Sequence, residues 1–261
     1  MIASPFAPAA VRHQHLIASL SERGSLRIAE LPAELGVTAM TVWRDLKLLE
    51  EQGLIRRVRG GVLHSGGATG EPDYESKAGQ FREVKRLIAQ AAVREFVREG
   101  DVIAMEGGTT VAELVRALPE SKISIVTNSL PIALQIRLNR PALPVRVLGG
   151  WLSPVSGNTT GPEVLKDIRK DSVSVCFLSA TAWDADKGPM DPNPLEIEIK
   201  RALAAASRRV VALIDSRKFG LTSASVMIHP KRLHAVVSDK MPPTAIRNML
   251  RKAGVRIVVA R

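Results

Sequence analysis

The chain has 261 residues, 45% of them hydrophobic, with 37 Lys and Arg against 26 Asp and Glu for a net charge of +11. That length allows a small domain and a larger one with its own core, and the charge favours an acidic polymer as partner. The single cysteine, Cys176, excludes a disulfide framework within one chain, no apolar run approaches a membrane span, and residues 1–10 lack the basic start of a signal peptide, so a cytoplasmic protein is expected.

In chain order, residues 10–22 place Val11, Leu16, Ile17 and Leu20 in helical register, a first helix. Residues 28–35 predict a second, short helix, where Pro32 is tolerable only if the helix begins near Leu31, because an interior proline removes an N–H. Gly36-Val37 is a tight turn, and Thr38 stands where its hydroxyl caps a third helix running to residue 52 and stopped by Gly53. Val42, Leu46 and Leu49 fall at i, i+4 and i+7 and face inward, leaving Thr41, Arg44 and Lys47 on other faces. Residues 54–59 and 60–63 are two strand-like runs around a glycine turn, a wing carrying Arg56, Arg57 and Arg59. The order is helix, helix-turn-helix, wing, which makes residues 1–64 a small DNA-binding domain. Those residues hold 8 basic and 6 acidic side chains, a net +2, against 29 and 20, a net +9, on the rest. The case for DNA therefore rests on where the cations stand, not on bulk charge.

Residues 36–61 resemble the DeoR family of bacterial transcription regulators, whose pattern is V-S-x-x-T-I-R-R-D-L-x-x-L-E-x-x-G-x-I-x-R-x-x-G-G. The matches are Val37-Thr38, Thr41-Val42-Trp43-Arg44-Asp45-Leu46, Leu49-Glu50, Gly53, Ile55, Arg57 and Gly60-Gly61. The resemblance implies that Arg44, with Thr38, Thr41 and Lys47, faces a major groove and that Arg56, Arg57 and Arg59 hold phosphates or reach a minor groove. Trp43 departs from the pattern, replacing the first of two arginines. It packs into the domain, stacks on a sugar or thymine methyl, or marks an altered operator; packing is the favoured expectation.

Residues 65–80 are glycine-rich and polar with no apolar period, and read as a linker. A helix follows over 81–99, with Val84, Leu87, Ile88, Ala91, Ala92 and Phe96 or Val97 on one buried face. Strands are expected at 101–105, 123–127, 145–148, 173–178, 210–214, 233–237 and 255–259, and helices at 110–118, 130–138, 194–206 and 243–253. Such alternation predicts, for residues 81–261, an α/β domain whose mostly parallel sheet is covered by helices on both sides. Ligands then bind beyond the carboxyl ends of the strands.

Five polar loops fall at those ends. The first, Gly107-Gly108-Thr109-Thr110, is either an anion cradle or an ordinary strand-to-helix turn. The others are Thr127-Asn128-Ser129, Leu148-Gly149-Gly150, the loop from Ser179 through Thr181 to Asp184, and Asp215-Ser216-Arg217-Lys218-Phe219-Gly220. Each alone reads as a capped loop; five at one edge point to a pocket. They resemble the DeoR C-terminal sensor domain, which shows D-S-G-T-T, T-N-S, L-G-G, a G-A-D-G-I-D-like loop, a Glu-x-x-x-Lys pair and D-S-S-K-F-G. That domain is related to ribose-5-phosphate isomerases, and the resemblance implies a phosphorylated-sugar effector held by these loops and by Glu196 paired with Lys200. Glu106-Gly107 replaces the pattern's Asp-Ser, and Thr181 stands where the isomerase-like pattern has aspartate. Threonine cannot move a proton between sugar carbons, so binding without turnover is expected; the i, i+4 spacing of Glu196 and Lys200 is also an ordinary helix pair.

The five histidines show no metal-ligand spacing, no nucleophile motif occurs, and neither a P-loop nor a dinucleotide fingerprint is present, so no metal and no cofactor are expected. The expectation is a repressor of a carbohydrate-metabolism operon with a double-stranded DNA operator and a sugar phosphate as partners, acting as a homo-oligomer, a dimer or tetramer, and without a membrane. The alternative is a sugar-phosphate isomerase with an accessory DNA domain.

Overall fold

A computed structural model describes residues 9–23, 25–51, 55–58, 60–64, 74–120, 122–170 and 172–261. Two compact units divide at Gln80 and Phe81.

The first unit begins with α1 (Ala9–Arg23), β1 (Ser25–Arg27) and α2 (Leu31–Leu35). The helix α2 is shorter than the pattern 28–35 suggested, because Pro32 occupies its first turn, where a missing N–H costs nothing. Gly36, at φ +64°, ends it in the left-handed conformation that glycine adopts without penalty. In α3 (Ala39–Glu51) the Thr38 hydroxyl accepts the Thr41 N–H at 3.3 Å as the expected cap. Val42, Leu46 and Leu49 are buried with Leu16, Leu20, Leu31, Leu35, Ile55 and Val62 in one core. The wing is β2 (Ile55–Val58) and β3 (Gly61–His64), antiparallel around Gly60 at φ +80°. β1 adds a third strand by pairing with β3; three residues show no alternation from which it could be read. Gly53, the expected helix stop, and Arg59 lie outside the described residues. The stretch read as a linker is corrected in its second half: residues 74–79 form α4 (Tyr74–Gly79), anchored by buried Tyr74, while residues 65–73 lie outside the described residues.

The second unit opens with α5 (Arg82–Phe96), one turn shorter than expected, with Leu87 exposed instead of buried. It continues through β4 (Val102–Met105), α6 (Thr109–Ala112), α7 (Leu114–Ala117), β5 (Ser124–Thr127), α8 (Leu130–Asn139) and β6 (Val145–Val147). The helix expected at 110–118 is two short helices. A hairpin of β7 (Trp151–Leu152) and β8 (Thr159–Thr160) precedes α9 (Pro162–Ile168) and β9 (Val173–Ser179). After β10 (Ala182–Asp184) and β11 (Gly188–Asp191) come α10 (Pro194–Ala205), β12 (Ser207–Leu213), β13 (Ser225–Val226), β14 (Ala235–Ser238), α11 (Thr244–Lys252) and β15 (Arg256–Val259).

Seven strands form one sheet in the order β15-β14-β12-β9-β4-β5-β6, and every neighbouring pair is parallel. They are the seven expected from the apolar runs. The register aligns their carboxyl ends: Met105 pairs with Thr127 and Phe177, Ser179 with Leu213, and Leu213 with Val237. The loops after β4, β5, β9 and β12 thus open on one edge of the sheet. Beside it β10, β11 and β13 make a small antiparallel sheet. Trp183, expected in a loop, is a buried residue of β10 against Phe219.

Candidate functional site

On the first unit, α3 is held from behind and open in front. Asp45 is buried and accepts Arg12 Nε at 2.8 Å, a second Arg12 nitrogen at 3.1 Å and His13 Nε2 at 2.9 Å, tying α3 to α1. Burial pushes its carboxyl pKa up, and the Arg12 and His13 hydrogen bonds with their charges outweigh that and hold it below the ordinary aspartate range. Trp43, Arg44 and Lys47 are exposed on α3, and Lys47 Nζ stands 3.8 Å from Glu51. The favoured packing of Trp43 into the core does not occur, since the residue is 46% exposed and takes no part in the core of this unit. The inward stripe is already complete with Val42, Leu46 and Leu49, and position 43 lies off it.

The Arg57 guanidinium lies 5.3 Å from the Trp43 ring centroid. It also grips Glu50, with Nε at 2.6 Å and a terminal nitrogen at 2.6 Å, while the Arg57 N–H donates to the other carboxylate oxygen at 2.9 Å. These bonds hold the Glu50 pKa down. Of the other wing arginines, Arg56 sits on β2 and Arg59 lies outside the described residues.

On the second unit the carboxyl edge gathers a buried polar cluster. After β4, the chain turns through Gly107 and Gly108 with no room for a side chain: a Cβ at Gly107 would collide with the Asn158 amide and one at Gly108 with the Ser179 hydroxyl. Thr110, Asn128 and Asn158 are each 1% exposed, and Thr110 Oγ1, Asn128 Oδ1 and Asn158 Oδ1 have no hydrogen-bond partner among the described residues. Buried polar atoms left so are costly unless something else completes them. The Asn128 amide is anchored through Nδ2 to the Thr159 carbonyl at 3.1 Å, and Thr127 Oγ1 donates to the Met105 carbonyl at 2.6 Å, locking the second loop to the end of β4.

Lys200, on α10, is the charged centre. Its Nζ lies 2.6 Å from Asp191 Oδ2, 3.3 Å from Glu106 Oε1 and 3.1 Å from the Ser179 carbonyl. Burial works against its charge, but Asp191, Glu106 and Glu196 together hold the ammonium protonated. Burial raises the Glu106 pKa, opposed by Lys200 and reinforced by Asp191. Glu196, buried in the first turn of α10, acts on Lys200 through its charge as the i, i+4 spacing suggested, and Lys200 in addition reaches across to Glu106 and Asp191.

Thr181 donates its hydroxyl to Asp191 Oδ1 at 2.6 Å and its N–H to the same oxygen at 3.0 Å. Thr181 is thus bound to the carboxylate of Asp191 on β11. Lys218 donates to the Ala180 carbonyl, which brings it to the same loop. Asp215 turns to its own loop, gripped by Arg217, which overcomes the effect of burial and lowers its pKa. Thr109 is half-buried at the start of α6. Gly150 is exposed and packs on Thr160 and Val164. Asn158, Ser179 and Asp191 were not read from the sequence as site residues. Asn158 is preceded by Ser156-Gly157, a turn signal with no chemistry of its own, and Asp191 before Pro192-Asn193-Pro194 reads only as a helix start. Cys176 is core, its thiol pKa pushed up by burial.

The model of the DeoR C-terminal sensor domain matches residues 80–240, and that of the DeoR-like helix-turn-helix domain matches residues 12–65. Among curated relatives, the HTH-type transcriptional repressor CsqR of Escherichia coli (strain K12) is 29% identical over 95% of this chain and 94% of its own. The HTH-type transcriptional regulator GlpR of Haloferax volcanii is 30% identical over 95% and 97%. The glycerol-3-phosphate regulon repressor of Escherichia coli (strain K12) is 28% identical over 92% and 94%.

Proposed function

The chain belongs to the DeoR family and is a DNA-binding transcription regulator and not an enzyme, and on that footing we propose that it represses a carbohydrate operon and is released by a phosphorylated sugar bound at the carboxyl edge of the large sheet. The DNA-reading set is Thr38, Thr41, Trp43, Arg44 and Lys47 on and before α3 with Arg56, Arg57 and Arg59 of the wing. Residues 1–64 read and residues 81–261 sense. The observation that carries the effector site is the group of buried polar atoms without partners among the described residues, Thr110 Oγ1, Asn128 Oδ1 and Asn158 Oδ1, around the Gly107–Gly108 turn. A polyhydroxylated ligand with an anionic end completes such atoms. Gly107, Gly108, Thr109, Thr110 and Asn128 form the inner wall of the proposed site. Thr181, Glu196 and Lys218 border it, and Gly150 and Asp215 shape the flanking loops. A name among the relatives refers to glycerol-3-phosphate, which suits an anionic polyol. One winged unit offers limited contact, so operator binding takes a homo-oligomer.

The test is DNA binding by the full chain to fragments it selects, repeated with a panel of phosphorylated and unphosphorylated sugars. A tenfold shift by one phosphosugar, about 1.4 kcal/mol of coupling, supports the reading; specific DNA binding that no sugar phosphate moves removes this effector class.

A further inference from the structure

The α3 surface carries more apolar area than phosphate or guanine contacts require. Met40 is 63% exposed and Trp43 46% exposed; three residues apart on a helix, they share a face. Exposed Arg44 and Lys47 continue it. The indole is also braced. Arg57 covers part of it at 5.3 Å, and Arg57 is itself fixed by the fork to Glu50, with both nitrogens at 2.6 Å. A large apolar ring held in place on a helix flanked by cations is prepared for a partner that is anionic outside and apolar at points within.

Guanine offers two acceptors to the major groove, which an arginine satisfies with its fork. An indole has one donor and cannot match that pair. Thymine offers a C5-methyl group, and apolar side chains recognise it by burying it. We propose that Met40 and Trp43 form a thymine-methyl reader, with Glu50 and Arg57 as positioning residues that hold the indole in place, so that this protein selects T·A pairs at the bases this face meets. The proposal rests on α3 entering the major groove.

The probe is the duplex that the full chain binds most tightly from a random-sequence library, with each thymine replaced in turn by deoxyuracil, which deletes only the methyl. Uracil at the contacted positions is expected to weaken binding about fourfold each, the value of one buried methyl group. A C·G pair there is expected to weaken binding as well, with 5-methylcytosine recovering the methyl contribution. Trp43→Ala, a substitution of an exposed ring that leaves the core intact, abolishes the uracil sensitivity, and Glu50→Gln, which loosens Arg57, reduces it. Arg44→Ala separates the two readings. If it weakens binding while uracil is tolerated everywhere, the methyl reader is overturned and α3 remains the reading helix. If it has no effect, α3 does not read the groove and the proposal falls with it. Trp43→Ala with unchanged affinity and unchanged uracil sensitivity also overturns it.

Discussion

Lys200→Met isolates what the buried cluster contributes to the sensor unit. Methionine keeps the length and apolar stem of the side chain and removes only the ammonium, which now sits 2.6 Å from Asp191 and 3.3 Å from Glu106, its side chain 5% exposed. Removing one partner of a buried ion pair costs about 3–5 kcal/mol, because the other charge is left uncompensated. Two carboxylates are left here, so the upper part of that range applies. For a unit of this size each kcal/mol moves the melting temperature by about 2–4 °C, so a cost of about 4–5 kcal/mol gives a fall of roughly 8–20 °C. Thermal unfolding of the full chain followed by fluorescence reports this through Trp183, which is wholly buried beside the cluster's β10. The pH dependence has a definite sign. Burial raises the folded-state pKa of Glu106, so its contribution is greatest below the unfolded value and is lost as pH rises through the folded value. Without Lys200 the folded pKa rises further, and the loss of stability with pH steepens. Adding Glu106→Gln to Lys200→Met recovers part of the stability. A variant within about 1 kcal/mol of the parent and with an unchanged pH slope would mean that the carboxylates are effectively solvated, and the buried-cluster reasoning fails.

Gly108→Ala drives a methyl into the Ser179 hydroxyl although the backbone there (φ −85°) suits any residue. It is expected to keep operator affinity while losing the response to phosphosugar, measured as DNA binding with and without ligand. Replacing Arg56, Arg57 and Arg59 together with alanine is expected to flatten the slope of log affinity against log salt by up to about 0.9 per lost phosphate contact; because Arg57 is committed to Glu50 and Trp43, two contacts are the expected loss. Asp45→Asn is expected to cost the DNA-binding unit about 1.5–3 kcal/mol. The parent's Asp45 contribution is present above the unfolded carboxylate pKa and lost as pH falls through the lowered folded pKa, so the two proteins converge in acid on a melting curve.

The large sheet was legible because its inner strands are largely buried and all seven appear as short apolar runs separated by turn residues. The seven expected strands are the seven observed. Two-residue strands such as Trp151–Leu152, Thr159–Thr160 and Ser225–Val226 carry no period, and they were missed. The Gly107–Gly108 turn was visible as a motif. Its tightness was not, because the atoms that require glycine belong to Asn158 and Ser179, distant in sequence. The same distance explains Lys200: spacing offered Glu196 as partner, and the fold adds Glu106 and Asp191, which no helical spacing pairs with it. Trp43 shows the opposite limit. Helical position alone puts it off the inward stripe of Val42, Leu46 and Leu49, and the expectation of packing did not weigh that.

The Thr181–Asp191 pair is a departure from the family pattern that the structure makes intelligible. A carboxylate at 181 would stand at hydrogen-bond distance from Asp191, where Thr181 Oγ1 now donates at 2.6 Å. Two carboxylates so close cannot both ionise, so one must hold a proton at a raised pKa. With Thr181, one charge suffices: both oxygens of Asp191 are engaged, Oδ1 by Thr181 and Oδ2 by Lys200. Thr181→Asp alone is therefore expected to destabilise the sensor unit increasingly as pH rises from about 5 to about 8, as the shared proton is lost. Thr181→Asp combined with Asp191→Thr restores a single carboxylate and is expected to remove that pH dependence. If the single variant shows the parent's pH profile, water separates the two positions and carboxylates at 181 and 191 are not coupled.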